Sequence, residues 1–188
     1  MMDYEARKAL LETRLKRSRF AHSVGVAETA AALAERFGLD AEEARLAGLL
    51  HDCARQYKNE ELIAEAQRRG IAVGPIERSM PLLLHGPVGA YLIKEDYEVE
   101  SEAIARAIAL HTVGGAGMTG LDKIIYFADM IEPLRDYPGV EELRLAAKKS
   151  SLDEMFLQGL EQSLRFVLDK GGLIHPDTVL ARNELLLG

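Results

Sequence analysis

Several residue types that mark other protein classes are absent or scarce in this chain. It contains no Trp, and aromatic residues make up only 6% of its 188 residues. Its single cysteine, Cys53, cannot form an internal disulfide, which suits a reducing compartment. No apolar run is long enough to span a bilayer, and the charged N-terminal stretch is unlike a signal peptide. We therefore predict a cytoplasmic protein without a membrane partner.

An excess of positive charge is also lacking. Lys and Arg number 23 against 30 Asp and Glu, for a formal net charge of -7. A nucleic-acid polymer requires a clustered basic surface, so we expect no such partner. A small phosphate ligand remains compatible with this balance, because metal ions and a few Arg or Lys side chains can supply local positive charge.

The residues that are present predict an all-α fold. Ala, Leu, Glu and Arg abound, helix-starting and helix-ending residues are frequent, and the alternation typical of strands is missing. We predict one compact helical domain over residues 1–188, with 71–87 mostly loop because that stretch holds three prolines. The amphipathic first and last helices leave room for a homodimer. Helices are predicted near residues 4–15, 18–37, 40–51, 59–70, 87–95, 101–111, 119–132, 141–149, 151–170 and 178–187.

Polar residues on otherwise apolar helix faces are the main functional signal. His22 shares a face with Val26 and Ala30, and Asp129 shares one with Ile125 and Tyr126. A carboxylate on such a face is costly to bury unless it is paired or binds a cation. His51, His85 and His111 also lie where helix faces meet apolar neighbours. Taken singly, each histidine is more readily structural, but together they favour a site for a divalent transition metal.

Short motifs around these residues form a recognisable order: Arg19-x-x-His22-Ser23, Leu49-Leu50-His51-Asp52, His85-Gly86, His111-Thr112 and 122–129. In them the chain resembles the HD superfamily of metal-dependent phosphohydrolases, which implies an HD-type helical bundle. Segment 129–140 and the tail at 174–183 are more specific. Both resemble the YqeK-type symmetrical bis(5'-nucleosyl)-tetraphosphatases of bacteria, and the likeness extends from Arg7 to Leu186.

This resemblance implies an iron-containing enzyme that cuts diadenosine tetraphosphate, a dinucleoside polyphosphate, into two ADP molecules. Its implied metal ligands are His22, His51, Asp52 and Asp129. His85 and His111 match two further histidines beside the phosphates, which could hold a second ion or donate to phosphate. One or two ions, and other divalent first-row metals, therefore remain open. The predicted catalytic residues are Asp52, His85 and His111. The predicted substrate contacts are Arg19, Asp52, Arg55, His85, His111, Thr112, Lys123, Asp129, Met130, Ile131, Glu132, Pro133, Leu134 and Arg135.

The chemistry expected of this set is hydrolysis by a metal-activated water that attacks a β-phosphorus. Arg19, Arg55, Lys123 and Arg135 are the best candidates to counter the polyphosphate charge. Two alternatives stay open: a related hydrolase acting on another nucleotide, and a non-catalytic nucleotide-binding sensor. The intact set of His22, His51, Asp52 and Asp129 disfavours the sensor, because a degenerate site would be expected to lose a ligand.

Overall fold

Helices account for nearly all of the regular structure in this chain. The computed structural model describes residues 2–187, and none of these residues forms a β-strand. Within that range no helix is both long and apolar enough to cross a bilayer. The α-helices are α1 (Tyr4–Arg14), α2 (Arg17–Phe37), α3 (Ala41–Leu50), α4 (Asn59–Arg68), α5 (Pro75–Ser79), α6 (His85–Tyr97), α7 (Glu102–Leu110), α8 (Gly120–Ile131), α9 (Val140–Lys149), α10 (Leu152–Asp169) and α11 (Pro176–Leu187). Two 3-10 helices cover Cys53–Gln56 and Pro81–Leu84.

Helices α2 and α3 pack closely because small residues line their contact. A Cβ atom added at Gly48 would lie only 2.9 Å from Cα of Ala27, so no larger residue fits there without a shift. Ala30 and Ala47, also fully buried, belong to the same core. The short spacing brings His22, on α2, toward His51, which directly follows α3.

Helices α6 and α7 make a second close contact of the same kind. A Cβ atom at Gly86 would lie 2.9 Å from the carbonyl oxygens of both Ile108 and Ala109. His85 begins α6 and His111 directly follows α7. Because Gly86 has no side chain, α6 and α7 pack closely enough for these two histidines to approach one another.

Helix α8 contacts α2 and carries Asp129, while α10 packs against α8 and α11 packs against α10. Tyr126 of α8 packs edge-to-face on Phe156 of α10, with ring centroids 5.3 Å apart. The Thr178 hydroxyl of α11 donates a 2.7 Å hydrogen bond to the carbonyl oxygen of Val113. This bond ties the C-terminal helix to the loop that follows His111.

The predicted loop at 71–87 is wrong in part, because this stretch contains α5, a 3-10 helix and the start of α6. Pro75 and Pro81 occupy first positions of these helices, where a missing N–H removes no intrahelical bond. Pro87 stands in the first turn of α6 for the same reason. The prolines start these turns rather than preventing them.

Candidate metal centre

Six of the side chains that the sequence analysis singled out lie together in one cluster. They are His22, His51, Asp52, His85, His111 and Asp129. All four imidazoles and Asp52 are buried, and the Asp129 side chain is 23% exposed. Except for adjacent His51 and Asp52, each comes from a different helix or helix junction, so the cluster exists only once the bundle has packed.

Three of the imidazoles are oriented in the same way by their own preceding turn. Nδ1 of His51 lies 2.7 Å from the carbonyl oxygen of Gly48, and Nδ1 of His111 lies 2.7 Å from that of Ile108. His85 makes the corresponding contact with Leu82, again three residues back. A carbonyl only accepts hydrogen bonds, so Nδ1 donates in each case. The neutral rings therefore turn an unprotonated Nε2 toward the cluster.

His22 is oriented instead by a carboxylate that is distant from it in sequence. Its Nδ1 donates to Oε1 of Glu132 across 3.0 Å, and the backbone N–H of Leu134 donates to the other oxygen of Glu132 at 2.8 Å. Glu132 is only 1% exposed. This is the arrangement in which a carboxylate fixes the tautomer of a metal-binding histidine.

The Asp52 carboxylate stands between two groups of ligand atoms. Its Oδ2 lies 3.7 Å from Nε2 of His22 and 3.5 Å from Nε2 of His51. Its Oδ1 lies 3.1 Å from Nε2 of His85 and 3.9 Å from Nε2 of His111. One oxygen thus faces each histidine pair. Oδ1 of Asp129 joins the first group at 3.0 Å from Nε2 of His22.

The chemistry of these atoms fits bound cations. The Nε2 atoms are 3.3 Å apart between His22 and His51, and 2.9 Å apart between His85 and His111. With Nδ1 protonated in each neutral ring, the His85–His111 pair has no proton to share, so its two Nε2 lone pairs repel unless a cation lies between them. Imidazole nitrogen and carboxylate oxygen suit first-row transition metals. Among residues 2–187, His22 with His51 and Asp129, and His51 with Asp52 and His111, offer ligand atoms within 4.8 Å of one another.

The protonation states agree with this interpretation. Burial lowers the pKa of His51, and burial followed by the nearby charges of His85 and His51 lowers the pKa of His111 to about 3. Burial would raise the pKa of Asp52, but His51 and His85 outweigh it and hold it well below its ordinary value. Burial acts likewise on Asp129, where the His22 hydrogen bond outweighs it and lowers the pKa. Near neutral pH the carboxylates are ionised and these two imidazoles neutral, as metal ligands must be. Burial would lower the pKa of His22, but its hydrogen bonds to Asp129 and Glu132 outweigh burial and raise it, so an ion bound at this ring would displace a proton.

Three arginines surround the two carboxylates. Arg19 donates to Oδ2 of Asp52 at 2.9 Å, and Arg135 forms an ion pair with Asp129 while its Nε donates to the Asp129 carbonyl oxygen at 2.7 Å. Arg55 makes neither a hydrogen bond nor an ion pair with any residue of the described range 2–187. Burial lowers its pKa, with Asp52 and Arg19 as the next influences. Arg55 therefore offers a half-buried guanidinium beside the centre that no other side chain engages.

The remaining predicted contacts are distributed around the centre. The Thr112 hydroxyl lies 3.4 Å from Nε2 of His85 and 3.3 Å from Nε2 of His111. Pro133 and Leu134 are exposed and Met130 is half-buried, whereas Ile131 packs in the hydrophobic core. Substrate contacts at these positions, and at Glu132 behind His22, stay predictions.

Lys123 is the candidate that the structure does not bring to the cluster. Its Nζ pairs with Asp153 of α10 at 2.5 Å. It precedes Asp129 by six residues on α8, a rotation of about 240° on a helix of 3.6 residues per turn. The two side chains therefore leave α8 on different faces.

Sequence reasoning missed two features of this centre. It grouped Glu132 with substrate contacts and did not identify it as the partner of His22. It gave no role to Arg144, which donates to three carbonyl oxygens of the turn after α8. Gly48 and Gly86, each close in sequence to a cluster histidine, were the available signals of close helix contact.

The helical bundle and its histidine–aspartate cluster define the class of protein, because the profile of the HD domain family matches residues 19–134. HD-domain hydrolases are metal-dependent, in agreement with the donor set. Full-length comparison is more specific: the chain belongs to the family of symmetrical bis(5'-nucleosyl)-tetraphosphatases. It is 39% identical over 187 residues to "Bis(5'-nucleosyl)-tetraphosphatase, symmetrical" of Bacillus subtilis (strain 168), covering 100% of both chains. The resemblance inferred from the motifs is confirmed.

Two further comparisons agree. A protein of the same name from Halalkalibacterium halodurans is 38% identical over 178 residues, which cover 95% of this chain and 94% of the relative. A crystal structure from Clostridium acetobutylicum, of a "predicted HD superfamily hydrolase involved in NAD metabolism", matches with a TM-score of 0.94 and 40% identity. That match covers 100% of this chain and 98% of the other. The predicted all-α, HD-type fold is therefore confirmed.

Proposed function

We propose that this chain is a metal-dependent hydrolase that cleaves diadenosine tetraphosphate symmetrically into two ADP molecules. Full-length similarity to relatives with that printed name supports the substrate. The observation that carries the chemistry is the position of Asp52, which presents one carboxylate oxygen to each of two histidine pairs. A single phosphohydrolase domain over residues 1–188 completes the proposal.

The cluster would provide two sets of metal ligands. His22, His51, Asp129 and Oδ2 of Asp52 would hold one ion. His85, His111 and Oδ1 of Asp52 would hold a second. Mixed imidazole and carboxylate ligands suit iron, and other divalent first-row metals as substitutes. When bound, such an ion lowers the pKa of a water molecule and polarises a phosphoryl oxygen.

The arginines would bind the tetraphosphate. Arg19 and Arg135 pair with Asp52 and Asp129, and Arg55 has neither a hydrogen bond nor an ion pair within residues 2–187. A guanidinium presents its donors in a planar fork that matches phosphate oxygens. Together they would neutralise the charge that otherwise repels an incoming nucleophile. Asp52, held ionised, would orient that nucleophile.

His85 and His111 would lie next to the leaving ADP, with the hydroxyl of Thr112 beside them. Burial keeps His111 neutral near pH 7, because its pKa lies at about 3. With one ion bound, a proton for the leaving oxygen would then have to come from a doubly protonated His85 ring. With two ions bound, both histidines would be ligands, and the Arg side chains would stabilise the departing charge.

The position of the broken bond would be set by how one ADP half is anchored. Segment 129–135 follows directly from a ligand of the first set and carries Arg135. In-line displacement places the attacking and leaving oxygens on opposite faces of the phosphorus. An ADP half anchored by this segment would present its β-phosphorus to the nucleophile, and the other half would leave as ADP.

A nucleotide panel incubated anaerobically with iron(II) tests this proposal. Diadenosine tetraphosphate, ATP, a cyclic dinucleotide and NAD are the informative substrates, with products separated by ion-exchange chromatography. We expect ADP alone from the tetraphosphate, and in heavy-oxygen water one ADP of each pair labelled on its terminal phosphate. AMP plus ATP as initial products would refute symmetrical cleavage. Faster turnover of another nucleotide would refute diadenosine tetraphosphate as the substrate. Chelator-treated protein is the control, and binding without turnover would favour the sensor.

The setting proposed for this activity is the cytoplasm, with neither nucleic-acid polymers nor membranes as partners. A homodimer is compatible with the surface of α11, where Leu180 and Leu187 are exposed. Light scattering coupled to gel filtration tests the assembly, and a single peak of monomer mass would exclude it.

A further inference from the structure

The C-terminal end of α8 is held by side chains that follow it in sequence. The last carbonyl groups of a helix lack intrahelical partners, and here each finds another donor. Nε of Arg135 donates to the Asp129 carbonyl at 2.7 Å, and the Tyr137 hydroxyl donates to that of Met130 at 2.8 Å. Arg144, from α9, donates through Nε to the carbonyl of Ile131 at 3.0 Å. The chain therefore leaves α8 along a fixed path.

Arg144 makes more hydrogen bonds to the segment after α8 than are needed to cap the end of one helix. Its Nη2 donates to the carbonyl oxygens of both Glu132 and Arg135 at 2.9 Å, in addition to the bond at Ile131. Its Nη1 pairs with Glu141 of its own helix at 2.5 Å, which fixes the guanidinium on α9. Only arginine has a rigid fork of five N–H donors able to do this. The guanidinium consequently joins both ends of the turn at residues 131–135.

The side chains at the two ends of this turn reach into the metal centre. Glu132 accepts from Nδ1 of His22, and Arg135 pairs with Asp129. His22 and Asp129 are two of the ligands in the first set. A shift of the turn would therefore move the groups that orient both ligands, even though Arg144 itself touches neither.

We propose that Arg144 is a positioning residue of the metal centre, acting through Glu132 on His22. This inference rests on the proposed centre and deepens it. Arg144 lies beyond residues 19–134, the part of the chain matched by the HD family profile. Helix α9 would thus contribute to metal affinity from outside the region that defines the family.

A purely structural cap would behave differently, and the chain offers a matched control. Nη2 of Arg36 donates to the carbonyl oxygen of Ser150, which directly follows α9, at 2.6 Å. Arg144→Gln and Arg36→Gln each remove an arginine bonded to a backbone carbonyl at a helix end. Both are expected to lower the melting temperature, but only the first lies on the path to His22.

The test is titration of the full-length, chelator-treated protein with Co²⁺ alone, followed by its visible absorbance. We expect Arg144→Gln to raise the Co²⁺ dissociation constant about 10-fold, as loss of a group that supports a ligand does. Arg36→Gln should leave it unchanged, and Arg144→Lys should restore part of the loss. The Nδ1–H proton of His22 should also shift in the NMR spectrum of Arg144→Gln and remain in place in Arg36→Gln.

A double-mutant cycle shows whether the effect passes through Glu132. If it does, Arg144→Gln adds little to the loss of affinity already caused by Glu132→Gln. Fully multiplied losses, or wild-type affinity in Arg144→Gln, would overturn the role of Arg144. A wild-type chain that bound no Co²⁺ would overturn the centre and this role together. Binding of Co²⁺ without cleavage of diadenosine tetraphosphate would count against the proposed function alone, because affinity is measured without turnover.

Discussion

His85 and His111 face each other through Nε2 atoms only 2.9 Å apart, while Nδ1 of each ring donates to a backbone carbonyl three residues earlier. The pair is buried, and the pKa of His111 is lowered to about 3. In the folded protein the two Nε2 atoms are therefore arranged to accept a cation.

The metal-free protein should lose stability as the pH falls from 6.5, the ordinary pKa of histidine, toward about 4. In this window the unfolded chain gains protons at His51 and His111, whose pKa values are lowered in the fold. Each such group lowers the free energy of unfolding by at most about 1.4 kcal/mol per pH unit. His22 has a raised pKa, so its contribution is complete below 6.5 and stays constant here. The lowered pKa values of Asp52 and Asp129 matter only below about 3.8.

Urea unfolding at several pH values measures this slope. His111→Gln should flatten it, and Lys149→Gln, at the exposed end of α9, should leave it unchanged. An undiminished slope in His111→Gln would show that the loss of stability does not come from protonation of His111 in the unfolded chain.

Asp52→Asn should abolish turnover while the protein remains folded. The amide keeps the shape of the carboxylate but loses the charge that serves both ligand sets. Metal ions supply several kcal/mol of charge stabilisation, so the rate should fall by at least roughly 10³-fold. Initial rates and circular dichroism measure the two parts. Asp153→Asn, which removes the partner of Lys123, is the control, and near-normal turnover in Asp52→Asn would show that Asp52 is not a ligand.

Gly25→Ala should weaken the metal centre by acting through Glu132. A Cβ atom there would lie 2.5 Å from Oε2 of Glu132, so the carboxylate that orients His22 must shift from its place. We expect a loss of about 1–3 kcal/mol in unfolding free energy and an affinity for Co²⁺ reduced about 10-fold. In a Glu132→Ala background the same substitution should cost almost nothing, and an equal cost in both backgrounds would contradict a clash with Glu132 as the cause.

Arg55→Gln should raise KM for diadenosine tetraphosphate with little effect on the Co²⁺ dissociation constant. Arg55 has no partner among residues 2–187, so its removal strands no other group in the free protein. A charged hydrogen bond contributes about 1.5–3 kcal/mol, which predicts a KM increase of roughly 10- to 100-fold. Steady-state kinetics at two salt concentrations measure it, with the exposed Arg165→Gln as control. An unchanged KM would remove Arg55 from the phosphate-binding set.

Most helices could be predicted because their ends are marked locally. Asp40, Ser101, Thr119 and Ser151 each accept from a backbone N–H three residues ahead, as their spacing predicts. The turns around Pro75 and Pro81 were missed, because proline ends a helix in one context and starts it in another. Only the packing of neighbouring segments distinguishes the two.

The members of the candidate site could be inferred from polar residues on apolar faces, but their orientations could not. That Glu132 faces His22 depends on the space at Gly25 and on a turn closed from α9. Lys123 pairs with Asp153 because α10 packs beside it. Such relations join residues far apart in sequence, and a single chain carries no local signal for them.

The four imidazoles differ in when their orientation is settled as the chain folds. His51, His85 and His111 are bonded to carbonyls three residues away, so a single helical turn suffices, and such turns form early and fast. His22 waits for Glu132, 110 residues further along, and closing so long a loop is slow and entropically costly. We therefore expect these three rings to be oriented before the fourth, and high-affinity metal binding to appear only in the last stage of folding.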